Sequence, residues 1–227
     1  MTRPWLNLAL FLSLAAHAGQ GNPAEPRLTP FEADGKWGYK DAQGKVVIAP
    51  RFVLAQDFSP QGIAPVVDDT GWAYIEGKGK IVIRPWVVDN GPDYFREGLA
   101  RFAADGKLGF FNQSGKVVVK PRFDFAWPFA EGRAVVCQGC REEAAGEHRV
   151  VTGGKWGFIN KKGAIVVPLK FERAESFQNG RARVKVDGQW RYVDRKGKPI
   201  EQASLGSATM EEDGTIVLQL RAEGPEL

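Results

Sequence analysis

Hydrophobic and polar positions alternate along this chain in a pattern that repeats about every 35 residues. Each repeat opens with two large hydrophobic side chains at positions i and i+2, a spacing that puts both on one face of a strand. The first member of the pair recurs at intervals of 35, 36, 48 and 34 residues, so one insertion accounts for the irregular interval. We therefore predict four to five β-rich units whose repeated core consists of Trp37 and Tyr39, Trp72 and Tyr74, Leu108 and Phe110, Trp156 and Phe158, and Trp190 and Tyr192.

Each unit is predicted to contain three short strands. After the first strand, Asp or Asn followed three residues later by Gly, as in Asn160 to Gly163, is typical of a type I turn. A β-branched run such as Val46 to Ile48 forms the second strand, and a proline ends it because proline has no N–H for the ladder. Asp-Gly dipeptides after the third strand return the chain into the next unit. We expect the third strand of one unit to pair antiparallel with the first strand of the next.

The fold class expected from these units is all-β, a tandem array of antiparallel hairpin or meander repeats. One unit cannot bury its own aromatic face, so neighbouring units must stack. We expect an elongated or curved array, with a closed propeller-like ring as the alternative. The expected domains are a linker over 19–30, the repeat domain over 31–200 with a hairpin insertion at 137–153, and a C-terminal strand or cap over 201–227.

These units resemble the WG repeat found in many bacterial proteins. The stretch from Gly154 to Gly163, Gly-Lys-Trp-Gly-Phe-Ile-Asn-Lys-Lys-Gly, shows the pattern most fully, and the resemblance covers roughly Gly35 to Ile200. The chain departs from the pattern at Leu108, which replaces Trp, and at Ala73 and Arg191, which replace Gly. We expect looser packing of the third and fifth units from these departures. The resemblance implies a β-repeat assembly with binding or unassigned roles, and it transfers no catalytic residue.

The first 18 residues have the pattern of a signal peptide. Arg3 provides the positive n-region, Leu6 to Ala16 the apolar stretch, and Ala16-His17-Ala18 an A-x-A cleavage site. An apolar run of about 11 residues is shorter than the roughly 20 that cross a bilayer, so we expect no transmembrane segment after signal removal. The mature chain would begin near Gly19 and reside in the periplasm or outside the cell, if the source is bacterial.

Composition changes this picture little. The chain is 43% hydrophobic and 26% charged, values typical of a soluble globular protein. The formal net charge of +4 is a mild excess, and nucleic-acid binders usually concentrate Lys and Arg on one face, so we expect no nucleic-acid partner. We interpret basic hairpin turns, such as Lys161-Lys162, as solvated rather than as sites for an anionic polymer.

The insertion at 137–153 contains Cys137, Cys140 and His148. In an oxidising compartment the two cysteines most simply form a disulfide, whose short loop would shape a hairpin more than stabilise the fold. One alternative is a thiol–disulfide redox site, which needs a helix N-terminus that lowers a thiol pKa. Another is a zinc site that combines the three residues with a carboxylate. That carboxylate would come from Glu142, Glu143 or Glu147.

The function expected from the sequence is that of an exported, non-catalytic repeat protein that binds another protein or an envelope glycan as a scaffold. Repeat arrays offer the extended surfaces that such binding needs. The alternative is a redox or metal-binding factor that uses the Cys137, Cys140 and His148 hairpin. We assign no catalytic residue, cofactor or metal ligand, and the oligomeric state stays open.

Overall fold

The computed structural model describes residues 28–146 and 148–200, and the backbone of residues 205–210 and 216–220. Of residues 145, 148 and 149 it describes the backbone alone. The predicted signal peptide over 1–18, most of the predicted linker, much of 201–227 and Glu147 lie outside the described residues. The division of the chain into linker, repeat domain and cap therefore stays a prediction.

Every regular element in the described part of the chain is a β-strand. In chain order the strands are β1 (Thr29–Ala33), β2 (Lys36–Lys40), β3 (Val46–Phe52), β4 (Leu54–Ala55), β5 (Ile63–Asp68), β6 (Gly71–Glu76), β7 (Ile81–Ile83), β8 (Val87–Val88), β9 (Gly91–Pro92), β10 (Leu99–Ala104), β11 (Lys107–Asn112), β12 (Val117–Phe123), β13 (Phe125–Ala126), β14 (Arg133–Ala145), β15 (His148–Asn160), β16 (Ile165–Phe171), β17 (Arg173–Ala174), β18 (Arg181–Val186), β19 (Gln189–Asp194), β20 (Pro199–Ile200), β21 (Leu205–Met210) and β22 (Ile216–Leu220). Within these ranges no helix has the length and apolar character needed to cross a membrane.

The strands form consecutive antiparallel meanders. The sheets have the orders β1-β2-β3, β4-β5-β6-β7, β8-β9, β10-β11-β12, β13-β14-β15-β16, β17-β18-β19-β20 and β21-β22. The third strand of one unit pairs with the first strand of the next, as β10 does with β11 from Leu99 opposite Asn112 to Ala104 opposite Lys107. The prediction of an all-β tandem repeat is confirmed.

The prediction of three strands per unit is incomplete, because the structure adds short strands to the units. A two-residue strand, β4, β13 or β17, precedes the third strand and pairs with the fourth and fifth residues of that strand. In the second unit the small hairpin β8–β9 occupies this place. These strands are too short to carry an alternating pattern, so the sequence does not reveal them.

The turn between the first and second strands has the predicted chemistry. In the fourth unit the Lys162 and Ala164 N–H groups donate to Asn160 Oδ1, each at 3.0 Å. The Gly163 N–H donates to the Asn160 carbonyl at 2.8 Å, and Gly163 has a φ of +81°, where a side chain would be strained. The same two side-chain hydrogen bonds recur at Asp41, Asn112 and Asp194.

A glycine separates the two rings of the first strand because a neighbouring backbone crosses directly over it. Trp37 pairs with Phe52 and Tyr39 with Ile48, so two steps along β2 match four along β3, which bulges between them. A β-carbon on Gly38 would lie 2.4 Å from the Ile48 carbonyl oxygen. The same approach occurs at Gly109, 2.4 Å from the Val119 oxygen, and at Gly157, 2.6 Å from the Val167 oxygen.

The second unit lacks both this glycine and the long bulged strand. Ala73 lies in β6, whose partner β7 ends at Ile83. The strand pairing that excludes a side chain therefore does not form beside Ala73. In the fifth unit, where Arg191 replaces the glycine, the described pairing of β19 with β20 covers Tyr192 and Val193.

In the first four units the second ring of the pair packs in the core against a phenylalanine from a later turn. Tyr39, Phe110 and Phe158 are almost fully buried. The ring centroids are separated by 4.9 Å for Tyr39 and Phe58, 5.9 Å for Tyr74 and Phe95, and 4.8 Å for both Phe110–Phe129 and Phe158–Phe177. Tyr192 is only half-buried, beneath the Arg181 guanidinium. Edge-to-face pairs of this kind add to the stabilisation from burial itself.

The first member of each pair varies in exposure. Trp156 is 2% exposed and Trp190 is 39% exposed, while Trp37 and Trp72 are half-buried. The prediction that Trp190 belongs to the core is wrong. In the first, third and fourth units a phenylalanine 15 residues later pairs opposite this position, whereas the fifth unit has Leu205 at that spacing. The Trp190 ring instead lies 4.7 Å from the Arg183 guanidinium.

The expectation of looser packing at Leu108 is also wrong. Leu108 is 2% exposed and pairs with Phe123, which is fully buried. Both belong to one core cluster that extends from Leu99 to Val193, across the third, fourth and fifth units. A smaller side chain is accommodated here because the core is shared between neighbours.

Each hairpin turn packs on the second strand of the preceding unit. A β-carbon on Gly115 would lie 2.8 Å from Val82 Cγ2, and one on Gly163 would lie 3.0 Å from Val119 Cγ2. Gly79 and Gly197 make the corresponding contacts with Ile48 and Val167. The stacking of units is therefore tight enough to exclude a side chain at the turn.

Two glutamates, Glu97 and Glu131, connect units to one another through hydrogen bonds and ion pairs. Glu97 accepts hydrogen bonds from the Gly132 N–H and forms an ion pair with Lys161 at 3.0 Å. Glu131 repeats the arrangement one unit later with the Gly180 N–H at 2.9 Å and Arg195 at 2.8 Å. The Arg195 hydrogen bond and the Gly180 N–H lower the pKa of Glu131 below its usual value. These links join equivalent turns of successive units.

Candidate functional site

The third and fourth units are joined by a hairpin much longer than the others. Strands β14 and β15 have 13 residues each, whereas β10, β11, β18 and β19 have six. Their pairing continues from Arg133 opposite Asn160 to Ala145 opposite His148. The predicted insertion at 137–153 is thus a two-stranded ribbon that prolongs the sheet.

A disulfide joins Cys137 to Cys140 within a single strand, β14. Both cysteines are buried. The regular pairing skips Gly139 and Gly154, which have φ values of +76° and +69°. A β-carbon on Gly154 would lie 2.4 Å from the Cys140 nitrogen and 2.7 Å from Cys137 Sγ. The predicted disulfide therefore lies where two facing glycines interrupt the ladder, and it shapes the base of the hairpin.

Neighbouring side chains hold this interruption of the ladder in place. Asp124 Oδ2 accepts a hydrogen bond from the Gly139 N–H at 2.7 Å, and Asp124 Oδ1 pairs with Lys107. Burial acts to raise the pKa of Asp124, but the Lys107 and Gly139 hydrogen bonds outweigh it and lower that pKa. Within β15, the strand opposite the disulfide, Trp156 Nε1 donates a hydrogen bond to the Gly153 carbonyl at 3.0 Å.

The zinc and redox alternatives are not supported by this geometry. His148 pairs with Ala145, five residues along β14 from Cys140, a separation of about 17 Å along the strand. His148 therefore cannot join both cysteines at one metal ion, and the described residues contain no cluster of three or more potential ligands. The cysteines lie in a buried strand and not at a helix N-terminus, where a reactive thiolate is favoured.

An open groove of about 440 Å³ lies between the third and fourth units. It is lined by Val118, Val119, Lys120 and Arg122 from the third unit and by Lys162, Gly163, Ala164 and Ile165 from the fourth. The floor is apolar, whereas the three cations are exposed around it. Arg122 is fixed in place because its Nη2 donates to the Gly163 carbonyl.

The groove coincides with a local change in the repeat. Residue 164 is Ala, whereas every other unit has Lys at this position, directly after the turn glycine. Those residues are Lys45, Lys80, Lys116 and Lys198. A short side chain leaves open the space that a four-carbon lysine stem covers along an apolar surface.

A family model described as a WG containing repeat matches residues 37–69, 72–107, 109–139 and 156–190, which together are more than half of the chain. The chain belongs to the WG repeat family. The gap between the third and fourth matches falls on the hairpin extension, and the fourth match ends at Trp190. The fifth WG unit is therefore the degenerate one, in keeping with its exposed tryptophan.

Other comparisons add little to the WG assignment. No curated protein matches the chain significantly. A crystal structure of a eukaryotic initiation factor aligns with 14% sequence identity and a TM-score of 0.34, over 85% of this chain and 57% of that chain.

Sequence reasoning missed the polar residues that connect WG units. A buried ion pair of Asp93 and Arg101 and the glutamates Glu97 and Glu131 were not among the predicted site residues. The glutamates did leave a signal, because Glu-Gly recurs before the third strand as Glu97-Gly98 and Glu131-Gly132. The groove left a weaker sequence signal, which is that Ala164 stands where the other units have lysine.

Proposed function

We propose that this WG repeat protein is exported and acts without catalysis, as a scaffold that binds another protein or an envelope glycan. The observation that carries the proposal is a β-branched side chain exposed at the same position of four units. The residues are Val46, 46% exposed, Ile81, 36%, Val117, 40%, and Ile165, 49%. Each begins the outer strand of its sheet.

These four residues, here called the aliphatic series, follow one another along the array. The turn glycine of each unit contacts the outer strand of the unit before it, so outer strands adjoin at every junction. Apolar side chains repeated on a surface are typical of a binding face. Lysines precede three of the four residues and prolines interrupt the strands, features that prevent nonspecific pairing of sheet edges.

Two observations support export. Residues 1–18 have the charged, apolar and small-residue regions of a signal peptide. The disulfide of Cys137 and Cys140 supports an oxidising compartment, because such bonds rarely persist where thiols are kept reduced. Neither observation depends on the identity of the partner.

Cell fractionation and N-terminal sequencing test the export step. We expect the protein outside the cytoplasm with a mature N-terminus near Gly19. A protein found in the cytoplasm with an intact N-terminus would contradict export. A pull-down then tests binding: protein isolated from cells that express the full chain is assayed for retention on envelope proteins and on peptidoglycan.

A triple variant tests the aliphatic series. We expect Ile81→Ser, Val117→Ser and Ile165→Ser together to abolish partner retention without a change in fold. Val53→Ser is the matched control, because Val53 is 51% exposed but lies outside the series. Equal loss in the control, or full retention by the triple variant, would count against the proposed face. A Cys137→Ser, Cys140→Ser variant that folds but loses an enzymatic activity would instead favour the redox alternative.

A further inference from the structure

We infer that the groove between the third and fourth units binds an extended peptide segment in which acidic and apolar residues alternate. The inference rests on the proposed binding function and names the chemistry of the partner at one site. The occupant is a segment of a partner protein that lies along the start of β16.

Charge is the first argument. Lys120, Arg122 and Lys162 surround the groove, and no acidic residue lines it. Other cations on this surface are compensated, as Lys161 is by Glu97 and Arg195 by Glu131. No described carboxylate pairs with Lys120 or Lys162. A ligand with carboxylates would supply the missing negative charge.

The apolar floor is the second argument, and it favours a peptide over a polyanionic glycan. Val118 is half-buried and Ile165 is 49% exposed, so both offer hydrocarbon surface between the cations. An extended peptide points successive side chains to opposite sides, so acidic residues can meet the cations while apolar ones cover the floor. A carboxylated glycan carries the charge but no apolar side chain.

The position of the strand is the third argument. β16 is the outer strand of its four-stranded sheet, so one side of its backbone has no partner strand. An added peptide strand would take main-chain hydrogen bonds from that side. Ala164 makes this junction different from the others, because lysine occupies the equivalent position in every other unit.

Fluorescence anisotropy with a short labelled peptide of alternating Glu and Val tests the inference on the protein purified from cells that express the full chain. We expect saturable binding that weakens as NaCl is added. A peptide of alternating Lys and Val should not bind. Equal or tighter binding of polyglutamate, or of the carboxylated glycan alginate, would overturn the inference, because neither ligand uses the apolar floor.

Two variants locate the site. We expect Ala164→Met, whose uncharged stem fills the space that lysine occupies in the other units, and Lys162→Glu each to weaken binding about tenfold. Lys78→Glu is the matched control, since Lys78 holds the equivalent turn position in the second unit and should bind the peptide as wild type does. Wild-type affinity in both groove variants would overturn the inference. That result together with intact partner retention in the envelope assay would leave the proposed function standing.

Discussion

The Asp93 carboxylate accepts three hydrogen bonds from Arg101, one from its backbone N–H at 2.8 Å and two from its guanidinium at 2.9 and 2.7 Å. Both side chains are less than a tenth exposed. Arg101 Nη1 also donates to the Ala126 carbonyl at 2.9 Å, so the pair connects the hairpin of the second unit to β13. Every charged atom of this buried pair is thus matched within the fold.

Breaking the buried pair should be costly. We expect Asp93→Ala to lower the free energy of unfolding by about 3 to 5 kcal/mol, because it leaves the Arg101 guanidinium buried without a counter-charge. Asp68 and Arg84 form a more exposed pair at 2.7 Å, and Asp68→Ala should cost about 1 kcal/mol or less. Urea denaturation of both variants provides the comparison, and equal losses would contradict the assigned role of Asp93.

The glycine after the first ring gives a second prediction. In an ordinary strand Gly→Ala is favourable, because glycine loses more conformational freedom on folding. At Gly157 we expect the opposite sign, a loss of about 1 to 3 kcal/mol, because the new β-carbon would lie 2.6 Å from the Val167 oxygen. Arg191→Ala, at the equivalent position of the fifth unit, should change stability by about 0.5 kcal/mol or less. A stabilised Gly157→Ala protein in thermal unfolding would show that the crossing backbone moves aside.

Equivalent tryptophans are buried to different extents, so replacing each with alanine should lower the free energy of unfolding by different amounts. Trp156→Ala should lower the free energy of unfolding by about 3 to 5 kcal/mol, because the ring is 2% exposed. Trp190→Ala should cost about 1 kcal/mol or less, because 39% of that residue faces solvent. The measurement is guanidinium denaturation monitored by circular dichroism. A guanidinium denaturation midpoint of Trp156→Ala equal to that of wild type would refute the stacking of the units.

Alkaline pH should destabilise the protein through a buried tyrosine. Burial, with a smaller contribution from the Asp93 charge, raises the pKa of Tyr74 to about 12 from 10.0. The folded state therefore favours neutral Tyr74, and its contribution to stability is complete below pH 10 and is lost as the pH rises towards 12. We expect Tyr74→Phe to flatten the fall in unfolding free energy over this window. Tyr94→Phe, at a ring 66% exposed, is the control, and an identical slope in both variants would be inconsistent with this account.

Much of the repeat is readable from the sequence because its signals are local. The turn at Asn160 to Gly163 needs only its own side chain, its own backbone and a glycine at positive φ. The alternation that pairs β10 with β11 depends on residues a few positions apart. The buried second ring, as at Tyr39, follows from the same alternation. A turn or strand pattern that recurs in four units is also easier to recognise than one that occurs once.

The candidate site is much less readable. The Cys137–Cys140 disulfide was predicted from spacing and compartment, but the interruption of the ladder beside it depends on Gly139 and Gly154 facing each other across a hairpin. The groove was not predicted, because its cations come from two units and its lining departs from the repeat at a single residue, Ala164. Side chains far apart in sequence carry no periodic signal that links them.

The sequence by itself determined the period of this protein, the hairpins within each unit and their turns, because these depend on interactions within a few residues. Only the tertiary structure decided that Trp156 is buried while Trp190 is exposed, that Asp93 and Arg101 form an ion pair in the interior, and that a cationic groove opens beside Ala164. The physical reason is that burial and charge compensation depend on what the neighbouring unit places opposite a residue.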